Sequence, residues 1–211
     1  MLCQFTVKNF KSIRDEVTFD MQAAAISEHE DRIIIDKDEE KYLPVSAVYG
    51  PNGGGKSNVL AALHTLVAKV LRPLLATEDS EEKVLLQRKI IVEPFAFSKS
   101  KDEPTEFELF FRTTVSEYRY ILHVKRDIVL YESLDRVKLE TGRKSALFTR
   151  DENGIVLKGA FAKLKVSDEL SKTLTLLSYL GIAYKGNAVV KDVLSWFEYG
   201  IEFLNYGNPI Q

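Results

Sequence analysis

The chain has 211 residues, of which 45% are hydrophobic and 28% charged, with a formal net charge of −2. These proportions exclude a collagen, a coiled coil and a disordered tail, and the balanced charge gives no support to a domain that coats nucleic acid, which is normally strongly basic. A single cysteine, Cys3, excludes an internal disulfide and fits a reducing compartment.

The opening stretch "MLCQFTVKNFKS" is too short and too polar for a signal peptide, so a cytoplasmic protein is expected. Within it, Phe5 and Val7 alternate with Gln4 and Thr6, the period of a strand with one buried face. "EVTFDM" predicts a second short strand and residues 33–35 a third. "PVSAVY" (44–49) is an apolar run that leads straight into glycines, as a buried strand would. After Lys56, the residues Val59, Leu60, Leu63, Leu66, Val67, Val70 and Leu71 recur at spacings of three and four, which is one face of a helix. Pro73 is expected to end that helix. No apolar run approaches ~18 residues, so no membrane-crossing helix is expected.

Residues 77–83, "TEDSEEK", are solvated and start a connection or a short helix, and beyond them the period turns to two. Strands are predicted over 89–97, 105–114, 117–126 and 128–140. The links "SKSKDEP", "VS" and "RD" are short, so neighbouring strands should pair antiparallel as a meander. "ETGRK" and "DENG" are further turns. From about Asp168 the pattern is helical, with Leu170, Leu174, Leu177 and Leu180 on one face. A second helix near 187–199 carries Val190, Val193, Leu194 and Phe197, and "IEFLNY" reads as a final strand. The chain thus divides into a first part over 1–75, an antiparallel β subdomain over 89–160 and a helical segment over 168–211, with no internal repeat.

The stretch from Gly50 to Ser57, "GPNGGGKS", fits the phosphate-loop pattern G-x-x-x-x-G-K-[ST]. A polyphosphate can be wrapped by backbone N–H groups only where no Cβ intervenes and where some positions adopt positive φ, and Gly53, Gly54 and Gly55 meet both needs. The loop opens a helix, whose unpaired N–H groups and dipole favour an anion. In this arrangement Lys56 reaches the β- and γ-phosphates of ATP, Ser57 sets its hydroxyl on Mg²⁺, and Asn52 either joins the nucleotide-binding residues or only shapes the loop, since Asn tolerates left-handed geometry. At average residue usage a chance match in a chain of this size is below about one per cent. Tyr49, just before the loop, is either an adenine-stacking residue or a buried core tyrosine.

"YGPNGGGKSN" (49–58) resembles the phosphate loop of ABC-type ATPases of the SMC/RecF branch. Within that branch it is most similar to bacterial ATPases related to the overcoming-lysogenization-defect and abortive-infection phage-resistance proteins of the AAA group. The Pro-Asn-Gly lead-in and Asn58 after the serine carry the likeness, together with "FTVKNFKSI" (5–13). "YESL" (131–134), "LFTR" (147–150) and the Leu-rich stretch 174–180 resemble those proteins more loosely. The resemblance implies an α/β P-loop NTPase fold, the N-terminal part of an ABC/SMC-like head with a mixed sheet, a P-loop helix and an antiparallel meander. It further implies that Lys11 and Ser12 approach the phosphate or ribose. Without it, those two residues read as a strand end facing water.

The same resemblance implies an apolar strand ending in Asp-Glu, to hold Mg²⁺ and orient water, and a Ser-Gly signature segment. "RIIIDKDEE" offers Asp36 but precedes the loop, "KIIVEPF" offers Glu93 without an aspartate before it, and no signature segment occurs. The 211 residues are therefore expected to be the first half of a head, the second half being either lost by truncation or supplied by another polypeptide, with a homodimer or a partner subunit completing the site. Gln211 is a candidate Mg²⁺-sensing glutamine or simply the last residue. A regulatory module that senses ATP without cleaving it is the competing expectation. A GTPase is disfavoured because no Asn-Lys-x-Asp motif occurs. Arg112, Arg119, Lys125 and Arg126, interleaved with aromatics, read as a solvated sheet or as a face for nucleic acid; His64 and His123 read as structural.

Overall fold

The structure, a computed structural model, describes residues 1–25, 29–75, 90–97, 102–167 and 170–204. Its organising strand is β1 (Leu2–Lys8), whose two edges are both taken. On one side it pairs antiparallel with β2 (Val17–Asp20). A separate two-stranded ribbon follows, β3 (Ile34–Ile35) and β4 (Lys41–Tyr42). The other edge of β1 receives β5 (Thr105–Arg112). From there the chain meanders through β6 (Ser116–Lys125), β7 (Ile128–Lys138), β8 (Lys144–Asp151) and β9 (Gly154–Leu157). The sheet order is β2-β1-β5-β6-β7-β8-β9.

Alternation along these strands puts Phe5, Val7, Phe107, Leu109, Phe111, Tyr118, Tyr120, Leu122 and Val124 on one buried face. Among the described residues three α-helices cover it. Helix α1 (Lys56–Leu75) contributes Ala62, Leu63, Leu66, Val67 and Val70. Helix α2 (Leu176–Ala183) is capped by Thr175, whose hydroxyl accepts from Ser178 N. Helix α3 (Ala188–Tyr199) is capped by Asn187, which accepts from the N–H groups of Val189 and Val190. Trp196 and Phe197 of α3 pack on Phe111, with ring centroids 4.6 and 5.5 Å away. The opposite sheet face carries cross-strand ion pairs such as Lys8–Glu106 and Arg119–Glu108, as an antiparallel sheet with one solvated side does.

Several expectations are corrected. Every pairing in the seven-stranded sheet is antiparallel, so no mixed sheet is present among the described residues. The expected buried strand at 44–49 does not form: these residues pair with no strand, Val45 is 77% and Tyr49 89% exposed, and both edges of β1 are already occupied. Residues 90–97 also form no strand; Val92 N instead donates to Arg126 O. Helix α1 runs through Pro73 to Leu75, since a proline near the C-terminus forfeits one main-chain hydrogen bond without breaking the turns before it. Helix α2 starts at Leu176, later than the sequence pattern suggests, because Arg150 takes the carbonyls of Ser171 and Leu174 from outside. Residues 201–204 are unpaired, and 205–211, with the Gln211 reading, lie outside the described residues, as do Asp168 and the segment 77–83.

By length and composition alone α1 is apolar enough to cross a bilayer, contrary to expectation. His64, Lys69 and Arg72 break its apolar run in sequence while leaving its mean hydropathy high, and one face of it is buried against the sheet.

Candidate functional site

The glycine stretch connects the exposed segment 44–49 to α1. Gly53 and Gly55 adopt φ of +79° and +85°, values that L side chains resist. A Cβ on Gly55 would stand 2.8 Å from Ser12 Oγ, and one on Gly54 would stand 3.0 Å from the carbonyl of Pro51. Asn52 is not left-handed; the glycines beside it supply the turn. The Lys56 ammonium donates to the carbonyls of Gly50 and Pro51, at 2.7 and 2.8 Å, so it is held against its own loop. Lys56 and Ser57 begin α1, where N–H groups lack intrahelical acceptors and the dipole is positive.

The end of β1 meets this loop. Asn9 and Lys11 adopt φ of 56° and 49°, and reciprocal hydrogen bonds between Phe10 and Ile13 (2.8 and 2.7 Å) close the turn. The turn delivers Ser12 to the loop, where Asn58 Nδ2 donates to Ser12 Oγ at 2.6 Å. Ser12, Gly55 and Asn58, predicted from two separate motifs, therefore meet. Lys11 lies on the same turn; its main-chain N–H donates to Glu93 O, and its ammonium sits 5.5 Å from the Phe10 ring centroid.

Asn9 is a contributor that sequence reasoning missed. It is buried; its amide donates to the carbonyls of Glu103 and Pro104, and its oxygen accepts from Phe95 N. It anchors the turn that presents Ser12. The signal was its place at the start of "NFKS", but its partners lie about 90 residues away in sequence, beyond any local reading.

Other candidates fall elsewhere. Tyr49 is exposed rather than in the core. Asp36 lies at the far end of β1, where it accepts from Arg112. Arg112 is buried and saturated by Asp36, Asp38 and Glu117. Burial works against its charge, but the three carboxylates outweigh that and raise its pKa, while Asp38 is held below the usual carboxylate value by the guanidinium. Arg119 is paired with Glu108, so two of the four basic residues that could form a polyanion face are neutralised within the sheet. His64 meets Phe203 edge-on at 5.0 Å, and half-buried His123 lies against Tyr131, its pKa lowered by burial.

No curated protein matches the chain. A family model described as "AAA domain, putative AbiEii toxin, Type IV TA system" matches residues 45–190, well over half of it. The match contains the glycine loop, Lys56, Ser57 and all of α1. With a glycine loop opening a core helix that packs on an antiparallel sheet, the chain has an α/β P-loop NTPase fold and belongs to this AAA-domain family of nucleotide-binding, ATPase-type proteins.

Proposed function

We propose that the chain binds Mg²⁺–ATP at residues 50–58 and forms the nucleotide-binding half of an ABC/SMC-like ATPase acting in phage defence in the cytoplasm. The observation that carries this is the loop itself: two glycines at positive φ, no Cβ facing Ser12, and a lysine ammonium poised against the loop at the start of a 20-residue helix. These residues fit a polyphosphate, because all but Pro51 supply a main-chain N–H donor, Lys56 adds a positive charge and none supplies a carboxylate.

In this reading the loop amides and Lys56 hold the β- and γ-phosphates. Ser57 and Mg²⁺ go together, and the cation neutralises phosphate charge when bound. Ser12 and Asn58 hold the loop against the end of β1, and Lys11 offers a second cation from the adjoining turn. The residues that activate water lie outside residues 50–58, and a second copy or a partner subunit closes the site. Val45, Val48 and Tyr49 support that idea: they form an exposed, unpaired, strand-prone edge beside the loop, as Leu60 does on α1. Contact with nucleic acid belongs to the complete assembly.

A second reading, an ATP sensor without turnover, is favoured by one observation. Among the described residues no carboxylate hydrogen-bonds or pairs with Lys56 or Ser57. Calorimetry with Mg²⁺–ATP tests the common core: the wild type binds and Lys56→Ala loses binding, whereas equal binding by both would refute the site. Steady turnover by the purified chain, abolished by Lys56→Ala, would eliminate the sensor reading.

A further inference from the structure

Beyond the far end of β1, three turns meet. The turn of the β3–β4 ribbon is closed by Asp36 N donating to Glu40 O (2.9 Å) and Glu39 N donating to Asp36 O (3.0 Å), and Arg112 clamps it through Asp36 and Asp38. Its Lys37 ammonium donates to Thr114 O at 3.2 Å, in the turn between β5 and β6. Val115 O of that turn accepts from Leu139 N at 3.1 Å, where β7 gives way to the turn before β8.

The three turns border a cavity of about 500 Å³. Lys37, Arg136 and Lys138 line it, with Val115 and Leu139 as its apolar part and Glu140 as its one carboxylate-bearing residue. Arg136 and Lys138 stand two residues apart on β7, so alternation sends both to the same face.

The charge of these three cations is not spent inside the protein. Among the described residues no carboxylate pairs with Lys37, Arg136 or Lys138, whereas Lys8, Arg112 and Arg119 on the same sheet each have one. Half-buried Arg136 is held by neutral groups alone: its Nε donates to the buried Ser116 Oγ at 2.8 Å, and its guanidinium carbon lies 5.9 Å from the Tyr118 ring centroid. Its Nη groups donate to nothing among the described residues. A guanidinium fixed through Nε and the ring, with both Nη groups unused, is set for an oxyanion, because its planar fork matches two oxygens of a phosphate or carboxylate at once.

We propose that this cavity is a second ligand site, which binds a small phosphate monoester with its phosphate on Arg136, Lys37 and Lys138 and its organic part on Val115 and Leu139. Three positive charges less that of Glu140 leave two, which matches the charge of about −1.5 to −2 that a phosphate monoester carries near neutral pH. The volume exceeds what a phosphate alone needs and falls in the range of about 300–1,000 Å³ usual for small-molecule sites. Lys37 gives up only a neutral carbonyl to reach the ligand. The Arg112 cluster gains a purpose in this arrangement: by fixing Asp36 and Asp38 it holds the turn that presents Lys37. The site shares no residue with the glycine loop, so the inference stands apart from the nucleotide reading.

Calorimetric titration of the full chain with phenyl phosphate tests this, with Lys56→Ala titrated in parallel. The expected result is saturable binding, equal in the two proteins, because Lys56 belongs to the other site. Arg136→Gln should weaken binding about tenfold or more, as loss of a charge-assisted pair does. Lys37→Ala combined with Lys138→Ala removes two exposed side chains, should weaken binding about fivefold and should leave the melting temperature unchanged, so it decides the matter if Arg136→Gln fails to fold. Glu140→Gln should tighten binding. Absence of heat with millimolar phenyl phosphate overturns the site, as does equal binding by wild type and the Lys37/Lys138 double variant. Binding abolished by Lys56→Ala would place the ligand in the glycine loop and overturn it too. Binding of oligothymidylate, but not phenyl phosphate, that is lost in the double variant would replace the small ligand with a nucleic acid strand.

Discussion

Lys56 and Glu132 show how differently two charged side chains are accommodated in one domain. The Lys56 ammonium is solvated and held by carbonyls, so it can transfer to an anion at little cost. Glu132 has no access to water. Burial pushes its carboxyl above the usual glutamate value, and the N–H groups of Leu176 and Leu177, the Tyr120 hydroxyl and Arg150 offset this only in part. A folded-state value above the unfolded one means the native protein holds the proton more tightly. That contribution is complete below about pH 4.3 and is lost as pH rises through the folded value, at about 1.4 kcal/mol for each pH unit separating the two. Urea denaturation of wild type and Glu132→Gln across this range should show wild type losing stability relative to the variant as pH rises, then running level. A difference that does not vary with pH would show that Glu132 does not titrate in this way.

At the level of elements, the three helices meet at Gly181. A Cβ there would lie 2.6 Å from Leu74 Cδ2 on α1 and 2.6 Å from Leu194 Cδ1 on α3. Gly181→Ala gains helix propensity of about 0.8–1 kcal/mol but overpacks the crossing, which costs about 1–3 kcal/mol. The net expectation is a lower urea midpoint with unchanged m-value, and a stabilised variant would mean the crossing is loose. The elements themselves were unevenly legible. Strands β5 to β7 and helix α3 follow the predicted ranges closely, because a period of two with short links, or of three to four behind an Asn cap, leaves little choice. Segment 44–49 was misread because an apolar run is compatible with a strand but does not guarantee a neighbour to pair with.

At the scale of the molecule, that unpaired segment is one exposed liability among the described residues. Val45, Val48 and Tyr49 present an open strand-prone segment next to the loop, whereas the solvated sheet face carries cross-strand ion pairs such as Lys8–Glu106 and Arg119–Glu108. On the partner reading, this edge is where a second copy or subunit adds. Sedimentation should therefore show concentration-dependent association that Val45→Lys with Val48→Lys weakens, with thermal stability little changed because neither side chain is in the core. Identical sedimentation of variant and wild type would place any contact on another surface.

The residues alone determined a glycine-rich turn that opens a long helix, since three glycines, a lysine and a serine before an amphipathic stretch carry their geometry within a few bonds. They also determined the meander, where pairing is set by short turns. The tertiary structure decided what lies far apart in sequence: that Ser12 abuts Gly55, that Asn9 anchors their turn, that Arg112 is neutralised and unavailable to a polyanion, and that Glu132 caps a helix more than forty residues on. Local conformation is governed by neighbouring backbone and side-chain sterics and is written in the order of residues, whereas the fate of a polar or charged group depends on which distant partners burial brings to it.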